Sequence, residues 1–158
     1  MIKVNQKADK VNHSKFSTSL LKWYDKEARN LPWRIPPELT KKGIKNDPYK
    51  IWISEIMLQQ TGVKTVQTYY LNFIKKWPKI QNLNEASEND ILKEWSGLGY
   101  YRRALNLKKC AEIICEKYNG KFPDSEKELL NLPGIGSYTA AAIISIAFDK
   151  PAIVIDGN

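Results

Sequence analysis

The sequence predicts an all-α protein built as one continuous unit. Apolar residues recur at helical spacing along most of the chain, and capping and stop signals divide it into about six or seven short helices. No internal repeat is present, and the one run with strand character, residues 152–155, is too short and isolated to form a sheet. A chain of 158 residues can bury one sizeable core. We therefore expect residues 14–158 to form a single helical bundle behind a polar tail at residues 1–13.

The first predicted helix, residues 14–29, carries an apolar stripe. The stripe consists of Phe16, Leu20, Leu21, Trp23 and Tyr24. The next segment, residues 31–46, holds three prolines and Gly43, so it is predicted to be a loop without regular structure and with a basic middle. Asp47 followed by Pro48 is typical of an N-cap and a first helical residue, and predicts a second helix through residue 60.

The second half of the chain is divided by similar signals. The remaining predicted helices span residues 63–77, 87–95, 103–118, 125–132 and 137–148. Ser87 with Asp90, and Ser125 with Glu128, have the spacing of capping boxes. The final helix, SYTAAAIISIAF, is apolar on every face, so we expect it to be the central buried helix.

Charge and cysteine content restrict the class of protein. Lys plus Arg total 25 against 17 for Asp plus Glu, a net charge of +8, which is typical of a protein that meets polyanions. No stretch has the length and apolarity of a signal peptide or a membrane span. Cys110 and Cys115 would lie about 140° apart on a helix, so they cannot chelate one metal ion together. We interpret them as half-buried apolar residues in a reducing compartment, and predict no metal site.

The segment LPGIGSYTA predicts two helices joined by a tight turn at Gly134, Ile135 and Gly136. Such a turn presents backbone N–H groups at a helix N-terminus, where they can bind an anion. Glycine suits a turn that requires positive φ, and it lets a phosphate approach the main chain. An ordinary interhelical turn is the alternative. In a basic all-α chain, we favour a DNA-binding helix-hairpin-helix motif.

From Leu31 onward the chain resembles the MutY-type adenine DNA glycosylase family of the helix-hairpin-helix superfamily. The motifs that carry the resemblance are, in order, LPWR, DPYKIWISEIMLQQT, WSGLGYYRRA, FPDSEKELLNLPGIGSYTAAAIISIAF and VIDGN. The resemblance implies a six-helix barrel core with an incomplete second helical lobe. It also implies a monomer that binds double-stranded DNA. The implied reaction is hydrolysis of the N-glycosidic bond of adenine mispaired with 8-oxoguanine or guanine. The implied location is the bacterial cytoplasm, at the nucleoid.

Glu55 is the one ionisable residue within the apolar run IWISEIML. Its helical neighbours are Ile51, Trp52 and Leu58, so its carboxyl group is predicted to be poorly hydrated. Desolvation raises the pKa of a carboxyl group, which suits a general acid, whereas most helical glutamates lie on a solvated face. The resemblance implies that Glu55 protonates N7 of the flipped adenine.

Asp156 closes the apolar run of residues 152–155. An Asp-Gly pair commonly forms a turn or an N-cap. The resemblance implies a different role, in which the Asp156 carboxylate faces the sugar C1′ and stabilises a cationic transition state.

Tyr138 lies two residues after Gly136, where relatives such as endonuclease III carry a lysine that forms a Schiff base. Tyrosine cannot form one, so the resemblance implies a monofunctional enzyme. A capping or packing aromatic is the alternative.

The resemblance also assigns residues that contact DNA and the flipped base. It implies that Gln60 and Tyr100, with Leu98 beside them, fill the gap left by the base. The adenine pocket corresponds to Arg29, Leu31, Trp33, Arg34 and Val63. Without the resemblance, Gln60 would be a polar helix end, and Tyr100 and Trp33 would be core residues.

The chain departs from the family pattern in two places. The link IPPELTKKGIKN is longer than usual, and the sequence given stops at Asn158. The family's 4Fe–4S cluster would need cysteines beyond Asn158, so we expect no cofactor within this chain. Two other functions stay open: an inactive DNA-binding fragment, and a glycosylase for thymine opposite guanine, against which EIMLQQT argues. With Asp156 beside a chain end, we expect residues 1–158 alone to bind DNA weakly and to show little activity.

Overall fold

The computed structural model describes residues 13–155, and all regular structure in that range is helical. The helices are α1 (His13–Glu27), α2 (Pro37–Thr40), α3 (Pro48–Leu58), α4 (Val63–Lys76), α5 (Ile80–Glu85), α6 (Glu88–Trp95), α7 (Arg102–Tyr118), α8 (Glu126–Leu129) and α9 (Ser137–Ala147). The predicted all-α class is confirmed. Residues 1–12 of the predicted tail lie outside the described residues, and His13 begins α1.

Helix α3 lies at the centre of the fold because almost all of its side chains are apolar. Residues 51–57 are buried without interruption, and the helix packs against α4, α7 and α9. Its start is fixed as the sequence predicts. The Asp47 side chain accepts a hydrogen bond of 2.9 Å from the Tyr49 N–H, and Pro48 occupies the first turn. Because an α-helix has a regular rise and rotation per residue, a fixed start at Pro48 also fixes the direction in which Glu55 and the residues after it project.

Helix α9 is the second central element. Seven of its residues are buried, namely Thr139, Ala140, Ala141, Ala142, Ile143, Ile144 and Ala147. The run of small alanines lets α9 approach α3 closely, while α8 packs against its other side. The prediction of a central buried helix is therefore confirmed for this segment.

The long helix α7 packs on α3, α5 and α6. Ser87 caps α6 by accepting a hydrogen bond of 3.1 Å from the Asp90 N–H, as predicted. Ser125, in contrast, makes no side-chain hydrogen bond at the start of α8, so that predicted cap is wrong.

Three further expectations need correction. The segment predicted to lack regular structure contains α2, because Pro37 occupies its first turn, where proline needs no N–H partner. The sequence signals also missed α5, whose buried residues are Ile80 and Leu83. The apolar stripe of α1 exists, but its large side chains are exposed among the described residues. No helix in the described part of the chain is long and apolar enough to cross a membrane.

Candidate active site

A cleft of about 1000 Å³ opens between the end of α3, the start of α7 and the loop before α2. This volume matches the largest pockets that proteins use for small molecules. Its walls are formed by Arg29, Leu31, Trp33, Arg34, Glu55, Leu58, Gln59, Gln60, Val63, Tyr100, Tyr101, Arg102, Arg103, Asn106 and Tyr138. Residues from four separate segments of the sequence therefore meet at one concave surface.

Glu55 provides a buried carboxyl group in the wall of this cleft. It is only 4% exposed, in agreement with the apolar neighbours seen in the sequence. The Arg34 Nη2 atom donates a hydrogen bond of 3.4 Å to Glu55 Oε1, and Arg34 itself is 31% exposed. Burial disfavours the charged carboxylate, whereas a neighbouring guanidinium favours it. No sequence signal predicts this contact, because the two residues lie in different segments.

The five residues assigned to an adenine pocket all line the cleft. Leu31 and Trp33 are also core residues, and the Trp33 ring meets Tyr70 edge to face at 5.2 Å between ring centroids. One side of the indole is thus held by the core, which fixes the cleft wall. Arg29 is exposed, so it lies at the solvent side of the cleft.

Gln60 and Tyr100 also line the cleft, and both have left-handed backbone conformations, with φ of 56° and 47°. The Tyr100 side chain is exposed. Leu98 differs from both, because its side chain is buried in the core and does not line the cleft. The Leu98 N–H donates a 3.0 Å hydrogen bond to the Trp95 carbonyl, which closes the turn after α6. The expectation that Leu98 lies beside the DNA-contacting residues is therefore not supported for its side chain.

The hairpin between α8 and α9 differs from the expected turn in two details. The Ile135 N–H donates to the Leu132 carbonyl at 3.2 Å, so this amide is not available to an anion. Gly134 has φ of +78°, and a Cβ there would lie 3.0 Å from Asn106 Cβ. Gly136 has φ of −91° and open space around it, so positive φ is required only at the first glycine.

Tyr138 lies in the first turn of α9 and lines the same cleft as Glu55. The first turn of a helix such as α9 presents backbone N–H groups at its N-terminal end, where an anion can approach them. Asp156, the other predicted catalytic carboxylate, falls outside the described residues.

Arg103 is a buried residue of the cleft that the sequence interpretation missed. It is 9% exposed, and burial lowers the pKa of its guanidinium, with a smaller opposing effect from Tyr100. Its burial could nevertheless be predicted from helical spacing, because it shares a helical face with Leu107, Cys110 and Ile114, which are all buried. A charged residue on the apolar stripe of a helix indicates a polar partner in the interior.

The cysteines do not fit a metal cluster. Cys110 lies in the core, where burial raises the pKa of its thiol, and Cys115 is half-buried on the same helix. Among residues 13–155, no group of three or more His, Cys, Asp or Glu side chains could hold a metal ion. A cluster held by four thiolates therefore has no ligand set in the described part of the chain.

The fold and the cleft define the class of protein. Residues 53–158 match the family described as HhH-GPD superfamily base excision DNA repair protein. The chain belongs to this superfamily.

Within this superfamily, the chain is similar in sequence to adenine DNA glycosylases. Adenine DNA glycosylase of Buchnera aphidicola subsp. Baizongia pistaciae is 49% identical over 144 residues, which cover 90% of this chain and 38% of that protein. The Mus musculus adenine DNA glycosylase is 46% identical over 154 residues, covering 96% of this chain and 29% of the relative. The chain thus spans less than half the length of these curated relatives.

Solved structures agree on the fold. A thermostable thymine-DNA glycosylase superposes with a TM-score of 0.76 at 30% identity, covering 90% of this chain and 62% of the other. A trapped endonuclease III–DNA covalent intermediate superposes with a TM-score of 0.72 at 22% identity, covering 92% of this chain and 63% of the other, and this similarity concerns the fold alone.

Proposed function

We propose that this cleft belongs to a monofunctional DNA glycosylase, which hydrolyses the N-glycosidic bond of adenine mispaired with 8-oxoguanine or guanine. The observation that carries the proposal is the buried Glu55 carboxyl group in the wall of a 1000 Å³ cleft, beside Arg34. Plain DNA binding does not need a buried carboxyl group in the wall of such a cleft. The similarity to adenine DNA glycosylases over nine-tenths of the chain supports adenine as the base.

The proposed reaction uses two carboxyl groups. Glu55 donates a proton to N7 of the flipped adenine, and the bond between C1′ and the base then breaks with its electron pair going to adenine. The Asp156 carboxylate stabilises the positive charge that develops at the sugar. Water adds at C1′ and gives a proton to the Glu55 carboxylate formed in the first step, which restores the acid and leaves an abasic site.

The remaining residues of the proposal hold the DNA. Gln60 and Tyr100 fill the gap left by the flipped base, which offsets part of the cost of unstacking. The helix start after Gly136 binds a phosphate of the duplex, and the protein acts as a monomer. Because Tyr138 stands where a Schiff-base lysine would be needed, strand cleavage through an imine at this position is not expected.

The test is single-turnover cleavage by Glu55→Gln in the complete natural protein, with a duplex containing adenine opposite 8-oxoguanine. Loss of a general acid lowers the rate by about 100-fold to 10,000-fold. Glutamine keeps the size and hydrogen-bonding capacity of the side chain, so duplex binding should change little. Adenine release at a near-normal rate by the variant would falsify the role of Glu55.

A duplex with thymine opposite guanine is the matched substrate control, because a thymine-DNA glycosylase is among the similar structures. We expect the wild-type protein to release adenine and to leave this thymine in place. Thymine release without adenine release would assign the cleft to the other base, and binding without release of either would indicate a DNA-binding role.

A further inference from the structure

Arg103 joins the end of α3 to the start of α7. Its Nη1 atom donates to the carbonyl oxygens of Ile56, Met57 and Gln59, at 2.9, 3.0 and 2.5 Å. These are carbonyls at the C-terminal end of α3, where several oxygens have no intrahelical donor. One buried guanidinium nitrogen therefore anchors the peptide that leads directly into Gln60.

The same guanidinium also holds the turn before α7. Its Nη2 atom donates to the carbonyl oxygens of Leu98 and Gly99, at 3.2 and 3.1 Å. The plane of the guanidinium lies near the rings of Trp95 and Tyr100, with its central carbon 5.2 and 5.6 Å from the ring centroids. The peptide that leads into Tyr100 is thus fixed by the group that fixes the end of α3.

The two anchored peptides precede the two left-handed residues of the cleft. Gln60 follows the Gln59 carbonyl and has φ of 56°, and Tyr100 follows the Gly99 carbonyl and has φ of 47°. Non-glycine residues occupy this region only when their surroundings hold them there. The two Nη groups of the planar guanidinium bridge both peptides, whereas a lysine ammonium cannot span them with the same geometry.

We propose that Arg103 is the positioning residue that sets Gln60 and Tyr100 together, so that the two side chains enter the DNA as one unit. This inference rests on the proposed function, which assigns both residues to the gap left by a flipped base. Arg103 itself touches neither base nor sugar in this proposal. It acts through the two peptides that it anchors.

The test measures base opening in the complete natural protein. A duplex carries 2-aminopurine at the target position, and its fluorescence rises when the base leaves the stack. Arg103→Lys should lower this rise. On a second duplex, with adenine at the target position, it should lower single-turnover adenine release by about 10-fold to 100-fold, because small misplacements of positioned groups have effects of this size. Affinity for undamaged duplex should stay within about threefold, because phosphate contacts dominate that affinity.

Double-mutant cycles separate positioning from general stability. Gln60→Ala and Tyr100→Ala should each reduce base opening clearly in the wild-type protein. In the Arg103→Lys background, each should reduce it by less than about twofold, since side chains that are already misplaced have little left to lose. Full, independent losses in both backgrounds would overturn the proposal.

A control and a second cycle cover the case in which Arg103→Lys folds poorly. Ile114→Val removes a buried methyl group from the same helix away from the cleft, so it gives a mildly destabilised protein in which base opening should be unchanged.

The cycle between Gln60→Ala and Tyr100→Ala alone tests the same coupling, and additive effects there contradict the proposal. If the wild-type protein opens the base but releases no adenine, the proposed function fails, while the cycles still decide the role of Arg103.

Discussion

Tyr49 connects two helices through a buried hydroxyl group. It lies near the start of α3, is 4% exposed, and donates a 2.8 Å hydrogen bond to the Trp77 carbonyl at the end of α4. Burial raises the pKa of the Tyr49 hydroxyl far above its usual 10.0, and the nearby Asp47 adds to the rise. The neutral phenol is therefore the form that the fold requires.

This raised pKa predicts a loss of stability in alkaline solution. Above pH 10 the unfolded chain gives up the Tyr49 proton while the folded chain keeps it, so the free energy of unfolding falls as pH rises. One such group contributes a slope of about 1.4 kcal/mol per pH unit. Tyr49→Phe should cost about 1 kcal/mol at pH 7 through the lost hydrogen bond, and should make the decline above pH 10 less steep.

Urea unfolding between pH 7 and pH 11.5 measures both effects. Tyr24→Phe, a change at an exposed ring of α1, is the control and should leave the curve unaltered. Burial also raises the pKa of Tyr70, so some alkaline decline should persist in every variant. If the free energy of unfolding fell equally steeply above pH 10 in the wild-type protein and in Tyr49→Phe, this hydroxyl would not be a cause of the alkaline loss of stability.

At the scale of elements, the hairpin between α8 and α9 contains two glycines that differ in whether the fold itself requires glycine at that position. Gly134 needs its positive φ and packs close to Asn106, so its requirement is internal to the fold. Gly136 has an ordinary φ, and no heavy atom lies within 4 Å of the position that a Cβ would take, so the fold does not require it. The remaining physical reason for Gly136 is the approach of a ligand to the main chain.

The two glycines therefore form a matched pair of substitutions. Gly136→Ala should leave the free energy of unfolding within about 0.5 kcal/mol and weaken duplex binding about 3-fold to 10-fold, because a methyl group obstructs one phosphate. Gly134→Ala should lower stability by about 1 to 2 kcal/mol, since alanine is strained at positive φ. Thermal unfolding and fluorescence anisotropy test the pair. Unchanged affinity in Gly136→Ala would remove the hairpin from the phosphate-binding surface.

At the scale of the whole molecule, the net charge of +8 and the exposed face of α1 are the two surface features that stand out. The exposed large apolar side chains of α1 are Phe16, Leu20, Leu21, Trp23 and Tyr24. Residues 13–155 include six ion pairs, five of which are made by lysines. An ion pair adds no net charge, so the excess of +8 attracts a polyanion whichever cations are paired.

This charge predicts a strong salt dependence of DNA binding by the 158-residue chain. The logarithm of the association constant should fall linearly with the logarithm of salt concentration, with a slope of about −0.9 for each phosphate contacted. A contact with about three phosphates would weaken binding roughly 40-fold between 50 and 200 mM salt. Anisotropy titrations of an undamaged duplex give the slope. Binding that is indifferent to salt would argue against a phosphate interface.

The sequence was sufficient for features that depend on local chemistry. The N-cap at Asp47, the cap at Ser87 and the buried helix α9 all follow from residue types at short spacing, and each is confirmed. Capping and periodicity signals in the sequence failed for a short helix that is stabilised by packing against another helix. α5 has two buried anchors and no side-chain cap, so only packing against α7 explains it.

Sequence by itself determined the helical class, the apolar setting of Glu55 and the turn at Gly134, because each depends on neighbours along the chain. Tertiary structure alone decided which side chains share the cleft. It brought Arg34 to Glu55, buried Leu98, and placed the Arg103 guanidinium between two turns. The contact of Arg34 with Glu55 and those of Arg103 with the end of α3 join residues 21 to 47 positions apart, and their distances depend on how helices pack, which no local spacing encodes.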